Sequence, residues 1–531
     1  MNDTDYLVIG GGAAGCILAN RLTADGRSRV TLLEAGGEPA SRWIPIPAGF
    51  SKLLTDPRHN WLFKSEPEAA THGRVISVPR GKGLGGSTLI NGMIYVRGQA
   101  QDYDGWAAAG ASGWAFADVE PYFRKLENYA AGDARRGHDG PLHIEQVGER
   151  FPIAGAFMDA AVQDGQPLNP DYNGDDQEGF GYYQANQRGG RRWSAYDAYL
   201  APVRQRPNLQ VVTDAQVLRL LFEGSRCVGA VYRRGGQDVA LRAQVEVILT
   251  AGSFQSPQLL ELSGIGQPAL LDGFGIQVRH ALPGVGENYV DHFATRMNWR
   301  VRNTVTLNEM SRGWRLAMNV ANYYARRRGI LTLGTGLVHG FVKTRPALQT
   351  PDAQYFFVHA SYANAAERIL DREPGMTIGV SQMRPESIGT VHLASADPLA
   401  APAIRPNFLA SETDRACMVD AMKLARRIVS RPAMAAYVAH ELSPGPGVET
   451  DADWLAFARA NGQTIYHPVG TCRMGSDAAA VVDTRLRVQG LQGLRVIDAS
   501  VMPKIVSGNI QAAVMMLAEK GADLVLADRK K

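Results

Sequence analysis

The first residues with a recognisable chemical pattern are three glycines, Gly10, Gly12 and Gly15, between an apolar run and a stretch of helical composition. Glycine at the first position permits a tight turn, at the second lets a pyrophosphate approach the backbone, and at the third allows close packing of helix on strand. The free N–H groups at the start of the helix also attract phosphate. We therefore predict a phosphate-binding turn that includes Ala13 and Ala14.

A carboxylate, Glu34, follows the next apolar run, 30–33, nineteen positions after Gly15. An acid at this distance accepts hydrogen bonds from ribose hydroxyls and disfavours a 2′-phosphate. A strand over 6–9, a helix over 16–22 and a strand over 30–33 would hold the turn and the acid at one edge of a sheet. This local pattern predicts FAD or NAD and does not separate the two.

The second candidate for chemistry is His467, which Pro468 keeps out of a helix because the residue before proline avoids the helical region. Gly470 and Thr471 indicate a bend beside a ligand. Three other histidines belong to segments that can approach a cavity, and we interpret them as structural: His292, His339 and His359.

Longer stretches extend these local patterns. They read RGKGLGGSTLINGMIYVRG at 80–98, GSFQSPQLLELSGIG at 252–266, LPGVGEN at 282–288 with Asp291-His292, and YHPVGTC at 466–472 continuing through 498–503 to Asn509. In order and content they resemble the signature segments of the glucose–methanol–choline (GMC) oxidoreductases over essentially the whole chain. The choline dehydrogenase and L-sorbose dehydrogenase branch is nearest. Departures at Thr88, 289–290 and 510–511 argue against adopting the substrate of any one member.

The resemblance implies an α/β fold, mixed α+β overall. A Rossmann-like FAD-binding domain of GMC type would carry a second, substrate-binding domain built on an antiparallel sheet, and 531 residues suit two packed domains. We predict a discontinuous FAD-binding domain over 1–150, 195–295 and 455–531, and a substrate-binding domain over 151–194 and 296–454. An amphipathic helix over 314–327 is predicted within the second.

The resemblance also implies which residues meet the FAD. Beyond the glycine turn and Glu34, these are Leu84, Gly85, Ser87, Asn91, Met93, Val217, Ala251, Asp498, Ala499, Ile510 and Gln511. The glycine-dense stretch 81–86 suits this role because backbone N–H groups there can face a flat ring. Family members with covalent flavin carry a histidine at the position of Ile90. An isoleucine cannot form that bond, so we predict non-covalent FAD.

By resemblance, His467 and Asn509 are the catalytic residues. The implied reaction oxidises an alcohol to an aldehyde or ketone: His467 takes the hydroxyl proton as general base while hydride leaves the carbinol carbon for flavin N5. Asn509 would hydrogen-bond the substrate oxygen, and a helix that starts near Gln511 would stabilise negative charge on the ring. A dehydrogenase is favoured over an oxidase on the nearer resemblance alone.

Other readings stay open at this point. They are an oxygen-using alcohol oxidase, a redox-neutral flavoprotein like a hydroxynitrile lyase, an NAD-dependent dehydrogenase and a non-catalytic flavoprotein. The alcohol is not identified, and a quaternary ammonium substrate would need an aromatic cage and a carboxylate. The electron acceptor is likewise left open between oxygen, a quinone and a carrier.

Composition narrows the range of partners. The net charge of +4 comes from nearly balanced signs without a basic stripe, so no nucleic-acid partner is predicted. The four cysteines are far apart and form no CxxC pair, which predicts neither a metal site nor a disulfide framework. With no secretory pattern and no apolar run of about 18 residues, we expect a cytoplasmic protein without a transmembrane segment. Peripheral attachment to a membrane stays compatible with the sequence.

Overall fold

The apolar N-terminal run forms the central strand of a mainly parallel sheet. The structure is a computed structural model that describes residues 4–364 and 369–529. The parallel strands lie in the spatial order Leu209–Val212, Val30–Leu33, Thr4–Ile9, Gln237–Leu249 and Leu494–Val496. The long strand Gln237–Leu249 also pairs antiparallel with Arg226–Arg234, which pairs with Gln216–Glu223. The strands predicted over 6–9 and 30–33 are confirmed.

These parallel strands end at the same level. The register sets their last residues side by side: Leu33, Ile9, Leu249 and Val496. Gly10, Glu34, Ala251 and Asp498 follow these ends within two residues. They therefore meet at one edge of the sheet, which is where open α/β sheets bind their ligands.

A second sheet is antiparallel, as predicted. Its strands lie in the order Val438–Ser443, Phe293–Val301, Gly375–Gln382, Ala353–Val358, Val338–Val342 and Gly179–Tyr182, with Gln463–Thr464 paired to Phe293–Val301. Together with the first sheet, this arrangement confirms the α/β fold class.

Side chains of this second sheet alternate between its two faces. On one face the Tyr355 hydroxyl donates to the carbonyl of Ala421 in the covering helix Glu412–Val429, at 2.7 Å. The other face carries two aligned cross-strand rows: Ala294, Ser381 and Gln354, then Arg296, Gly379 and Phe356. The residues of this open face form part of the candidate site.

Helices pack on both sheets. The longer ones are Ala13–Leu22, Ala100–Ala108, Phe116–Leu126, Pro152–Gln163, Gly252–Leu262, Gly313–Arg326, Glu412–Val429, Asp451–Asn461 and Gln511–Arg529. Ala13–Leu22 and Gln511–Arg529 contribute to the core around the first sheet. Pro152–Gln163 and Glu412–Val429 contribute to the core of the second.

The amphipathic helix predicted over 314–327 is observed as Gly313–Arg326. The described residues leave most of its apolar side chains exposed: Trp314 is 68% exposed and Tyr324 is 60% exposed. Tyr323 is its one buried residue. The apolar pattern predicted the helix correctly, but a pattern of this kind does not determine what covers the apolar face.

Several sequence expectations concern the chain as a whole. The domain boundaries stay predictions. All four cysteines are free and buried. Within residues 4–364 and 369–529, no helix is both long and apolar enough to cross a bilayer, and no group of three or more His, Cys, Asp or Glu side chains is arranged to hold a metal ion.

Candidate active site

A long cavity lies where residues of both sheets meet. We call the part lined by Gly10, Gly12, Glu34 and Asp498 the glycine end. We call the part lined by Ala294, Phe356, His467 and Asn509 the histidine end. A ligand long enough to reach both ends would contact the predicted phosphate-binding turn at the glycine end and the imidazole of His467 at the histidine end.

The glycine turn requires glycine on steric grounds. Gly10 has a φ of +110°, and a Cβ there would lie 2.6 Å from the carbonyl oxygen of Thr250. A Cβ on Gly15 would lie 1.9 Å from the carbonyl oxygen of Gly10. The turn at the start of helix Ala13–Leu22 is therefore held in the close-packed form that the sequence predicts.

Glu34 holds three glycine segments together. Its carboxylate accepts hydrogen bonds from the N–H groups of Gly11 at 2.7 Å, Gly36 at 2.8 Å and Gly83 at 2.9 Å. These bonds use three of the roughly four acceptor positions of a carboxylate. Gly83 belongs to the segment 80–98, so this acid joins the two glycine-rich motifs at the glycine end.

Asp498 organises the opposite wall of the glycine end. Its buried carboxylate accepts from the N–H of Gly252 at 2.8 Å and from the hydroxyls of Ser256 and Ser500, each at 2.6 Å. Burial raises the pKa of this carboxyl above its ordinary value, while these hydrogen bonds lower it. The C-terminal strand is thereby joined to the start of helix Gly252–Leu262.

Between the two ends, the amide of Asn91 is fixed by its neighbours. Its oxygen accepts from the Arg192 guanidinium at 2.8 Å and from the Met93 N–H at 3.1 Å, and its nitrogen donates to Gln511. Met93 is buried with a φ of 64°, a backbone conformation that non-glycine residues rarely adopt. This strained, fully bonded segment lines the middle of the cavity.

Two histidines at the histidine end determine each other's protonation. The Nε2 of His292 lies 2.9 Å from the carbonyl oxygen of Met383. A carbonyl only accepts, so His292 carries its proton on Nε2 and its Nδ1 is the acceptor in the neutral ring. The Nδ1 of His467 lies 3.0 Å from that atom and must donate to it. The network therefore leaves Nε2 of His467 unprotonated.

Asn509 completes this chain of hydrogen bonds. Its Nδ2 lies 3.1 Å from Nε2 of His467 and donates to it. Its Oδ1 accepts from the amide nitrogen of Gln354 at 3.2 Å, and the same nitrogen donates to the Tyr183 hydroxyl at 3.0 Å. Gln354 thus fixes which way the Asn509 amide points.

The backbone around His467 is held by two charged groups. Asp291 accepts from the His467 N–H at 2.8 Å and from the Thr464 hydroxyl at 2.5 Å. Arg80 donates to the carbonyl of Tyr466 at 2.6 Å. Tyr466 has a φ of 75°, and strain of this kind persists at functional sites where the surroundings enforce it.

The environment keeps His467 neutral. Burial holds the pKa of His467 well below its usual value, and electrostatic interactions with His292 and with the positive Arg80 lower it further. Burial also lowers the pKa of His292 to about 4. For Asp291, burial raises the pKa to about 6, against the effect of its hydrogen bonds. A neutral imidazole with a bare nitrogen is the form that accepts a proton.

Comparison with known families bears on both ends of the cavity. A GMC oxidoreductase model of the N-terminal part matches residues 4–294, and a GMC oxidoreductase model of the C-terminal part matches residues 385–518. The chain belongs to the GMC oxidoreductase family. The first range holds the glycine turn and Glu34, and the second holds His467 and Asn509, which confirms the resemblance seen in the sequence.

Individual relatives match over nearly the full chain. Mitochondrial choline dehydrogenase of Homo sapiens is 40% identical over 537 residues, which cover 99% of this chain and 90% of that protein. Alcohol dehydrogenase (acceptor) of Pseudomonas putida is 39% identical and covers 98% of this chain and 95% of that protein. The structure of pyridoxine 4-oxidase from Mesorbium loti has a TM-score of 0.89 at 31% identity, covering 98% and 99% of the two chains. Their names specify different substrates.

GMC oxidoreductases are FAD flavoproteins that act on CH–OH donors, and this GMC oxidoreductase binds FAD non-covalently. The structure suits that cofactor. A Cβ on Gly86 would lie 2.7 Å from Cα of Gly12, so the two glycine-rich segments approach each other as closely as backbones can. Ile90 lines the cavity, and its hydrocarbon side chain has no atom that could bond covalently to a flavin.

Most of the sequence-predicted site residues line this one cavity. They are Gly10, Gly12, Ala13, Ala14, Glu34, Ser87, Asn91, Met93, Val217, Ala251, Asp498, Ala499, His467, Asn509, Ile510 and Gln511. Gly15, Leu84 and Gly85 lie behind the lining, where the Gly85 N–H donates to the Gly11 carbonyl at 2.7 Å. The individual roles of all these residues stay predictions.

The partners that bind His467 and Asn509 were not predicted from the sequence. We interpreted His292 as structural, whereas it contacts His467 directly. His339 and His359 do pack in the interior, His359 against the ring of Phe151 at 3.8 Å. Nothing in the sequence marked Gln354. The Asp291-His292 pair belongs to a segment that resembles a GMC family motif. That position was the one signal in the sequence for a role near His467.

The titration of these groups predicts the pH dependence of the reaction. Asp291 titrates at about 6 and His467 well below its ordinary value, so both are deprotonated at neutral pH. We expect the rate of FAD reduction by an alcohol to be constant from about pH 7 to 8 and to fall only as pH drops through about 6 and below. Anaerobic stopped-flow measurements across this range test it. A rate that still climbs through a midpoint above about pH 7 would contradict a neutral His467 base.

Proposed function

We propose that this GMC oxidoreductase oxidises its alcohol with His467 as general base and works as a dehydrogenase. The observation that carries the proposal is the unprotonated Nε2 of His467 at the histidine end, fixed through His292 and adjacent to the Asn509 amide. A correctly placed base of suitable pKa contributes about 10²- to 10⁴-fold to the rate of a proton transfer.

Each residue has a separate role in the proposed reaction. Nε2 of His467 accepts the proton of the substrate hydroxyl, and the oxygen keeps the electron pair of the broken O–H bond. The Nδ2–H of Asn509, oriented by Gln354, donates to that oxygen as its negative charge develops. FAD supplies the acceptor for the hydride that leaves the carbinol carbon. Loss of the proton from oxygen and of the hydride from carbon leaves the carbon–oxygen double bond of an aldehyde or ketone.

The start of helix Gln511–Arg529 supports the same chemistry. Ile510 and Gln511 line the cavity between its two ends. Backbone N–H groups at a helix start, together with the positive end of the helix dipole, stabilise nearby negative charge. In this proposal they stabilise the charge that the cofactor gains during alcohol oxidation.

The names of two relatives favour a dehydrogenase over an oxidase, whereas a relative from Chromohalobacter salexigens that is 41% identical is named an oxygen-dependent choline dehydrogenase. The human and Pseudomonas putida relatives are named dehydrogenases, at 40% and 39% identity, whereas the structural neighbour named an oxidase is 31% identical. The test is to reduce the bound FAD anaerobically with an alcohol and then admit air. We expect slow reoxidation by oxygen and fast reoxidation by a quinone or dye. Complete reoxidation by air within one turnover time would make the protein an oxidase.

His292 should act on the reaction only through His467. In His292→Leu, the Nδ1 of His467 loses its acceptor and the ring no longer has a fixed tautomer, so we expect FAD reduction to slow by at least about tenfold. In His292→Asn, the side-chain oxygen can accept in place of Nδ1, and we expect most of the rate to return. Stopped-flow reduction and its pH profile compare the two variants. Equal rates in both would rule out this positioning role.

A further inference from the structure

The helix Gly313–Arg326 carries apolar side chains on the side that faces away from the protein. With 3.6 residues per turn, one face of this helix collects a set of residues that are all exposed: Trp314, Ala317, Met318, Ala321, Tyr324 and Ala325. We call this surface the outer face. Within the described part of the chain, Trp314, Met318 and Tyr324 are 68%, 59% and 60% exposed, whereas Tyr323 on the opposite side is buried. The usual orientation of a surface helix, with its apolar side inward, is therefore reversed.

The helix is anchored to the protein on its inner side. The Tyr323 hydroxyl donates to the carbonyl of Pro45 at 3.4 Å. Just beyond the end of the helix, the Gly329 N–H donates to the carboxylate of Glu149 at 2.7 Å. These contacts hold the helix in a fixed orientation, with the outer face directed away from the rest of the chain.

Arginines flank the outer face. Residues 310–351 contain no Asp and no Glu, and the arginines at the two ends of the helix are Arg312, Arg315, Arg326, Arg327 and Arg328. A neighbouring turn adds Arg188 and Arg191, both exposed. This turn packs directly on the end of the helix, since a Cβ on Gly190 would lie 2.4 Å from the carbonyl oxygen of Arg327.

Carboxylates beside these arginines are engaged in other contacts. Glu309 forms an ion pair with Arg315 at 3.4 Å. Glu145 accepts from the N–H of Gly189 at 2.7 Å, and Glu149 accepts from the N–H that follows the helix. They offset only part of the arginine charge, so the surface around the outer face is positive.

We propose that the outer face docks on the surface of an anionic lipid bilayer. Trp314, Met318 and Tyr324 enter the boundary between headgroups and acyl chains, where tryptophan and tyrosine are favoured. The flanking arginines lie against the lipid phosphates, so the charge of the protein surface complements that of the membrane. A second copy of the chain is disfavoured as the occupant, because a symmetric contact would bring two arginine clusters together.

Co-sedimentation of the FAD-loaded protein with lipid vesicles tests the docking. One set of vesicles contains phosphatidylcholine and phosphatidylglycerol in equal parts, and the other contains phosphatidylcholine alone. We expect at least about tenfold tighter binding to the anionic vesicles, and binding that weakens as salt is added. No sedimentation with the anionic vesicles, or equal affinity for both sets, would overturn the proposal. The measurement needs no turnover, so its outcome is independent of the proposed alcohol oxidation.

Met318→Asp tests the apolar part of the contact, with Ile388→Asp as the matched control. Ile388 is 53% exposed and lies outside the helix, so the two variants make the same change of charge at different places. We expect Met318→Asp to bind anionic vesicles at least about tenfold more weakly than Ile388→Asp. The flavin-to-protein absorbance ratio checks that both variants stay folded and loaded. Equal affinities in the two variants would overturn docking through the outer face.

Arg328→Gln tests the charged part of the contact, with Arg234→Gln as its control. Arg234 is exposed at the end of strand Arg226–Arg234 in the first sheet. One arginine beside an anionic membrane contributes roughly fivefold to the affinity, so we expect that loss in Arg328→Gln and no loss in Arg234→Gln. Equal affinities would contradict the charge complementarity.

Sedimentation velocity without lipid decides between a membrane and a second copy of the chain. We expect Met318→Asp to leave the sedimentation coefficient of the protein unchanged, whatever its oligomeric state. A wild-type oligomer that dissociates in Met318→Asp but not in Ile388→Asp would overturn the proposal and identify another copy of this chain as the occupant of the outer face.

Discussion

Replacing His467 by alanine is expected to slow the reduction of bound FAD by an alcohol about 10²- to 10⁴-fold. The reason is the loss of the only cavity-lining imidazole in the described chain, whose Nε2 the hydrogen-bond network leaves bare. FAD should remain bound, because the contacts of the glycine end do not involve this side chain. Anaerobic stopped-flow absorbance gives the rate, and the flavin-to-protein absorbance ratio gives the FAD content.

The matched control is His440→Ala. His440 is exposed on strand Val438–Ser443, so its removal should leave both the rate and the FAD content unchanged. If His467→Ala retained the wild-type rate with full FAD content, the general-base assignment would be wrong. That result would favour a non-catalytic flavoprotein or a base elsewhere in the cavity.

Gly15→Ala is expected to remove most of the FAD from the purified protein. The added Cβ would meet the carbonyl oxygen of Gly10 at 1.9 Å, so the turn and the helix start must move apart. Overpacking of this kind costs about 1–3 kcal/mol. Here the displaced backbone includes the N–H groups that we expect to meet the phosphates, so the affinity for FAD should be at least about tenfold lower. Reconstitution of the apoprotein with FAD measures it.

Gly155→Ala is the control for that substitution. Gly155 lies inside helix Pro152–Gln163, and a Cβ there would have no heavy atom within 4 Å. Alanine in a helix interior is more favourable than glycine by roughly 0.5–1 kcal/mol, so stability should rise slightly and FAD content should stay full. A fully loaded Gly15→Ala protein with wild-type affinity would show that the close approach at this turn is not needed for the cofactor.

The glycine end could be predicted from the sequence because its determinants are local. The turn, the helix start at Ala13 and the carboxylate of Glu34 lie within the first 34 residues of the chain, and each is recognisable by residue type. One part of the prediction was incomplete. The contact of Glu34 with ribose hydroxyls stays a prediction, whereas its hydrogen bonds to the backbone of three glycine segments were not predicted.

The histidine end could be predicted only in part, because its contacts join distant parts of the chain. His292 and His467 are 175 residues apart in sequence, and Gln354 and Asn509 are 155 apart. His292 lies just before strand Phe293–Val301, and Gln354 lies on strand Ala353–Val358, whose register the sequence does not reveal. His467 and Asn509 were found through family motifs. The residues that fix their orientation required the fold.

The helix Gly313–Arg326 was likewise only partly predictable from the sequence. Its apolar periodicity was sufficient to predict a helix, and the observed bounds differ from the prediction by one residue at each end. The burial of that face was not predictable, because it depends on which other element packs there. The exposed Trp314 shows that the described chain does not cover it.

In the proposed reaction, an alcohol carbon gives up hydride to the bound FAD while His467 takes the proton. The most direct test mixes the FAD-loaded protein anaerobically with hexan-1-ol and, separately, with hexan-1-ol deuterated at both hydrogens of carbon 1. We predict that the visible flavin band bleaches with both, and that deuteration slows it several-fold because the carbon–hydrogen bond breaks in that step. An unchanged flavin band with hexan-1-ol and every other alcohol tried, in protein that retains FAD, would contradict this reaction and favour a redox-neutral lyase.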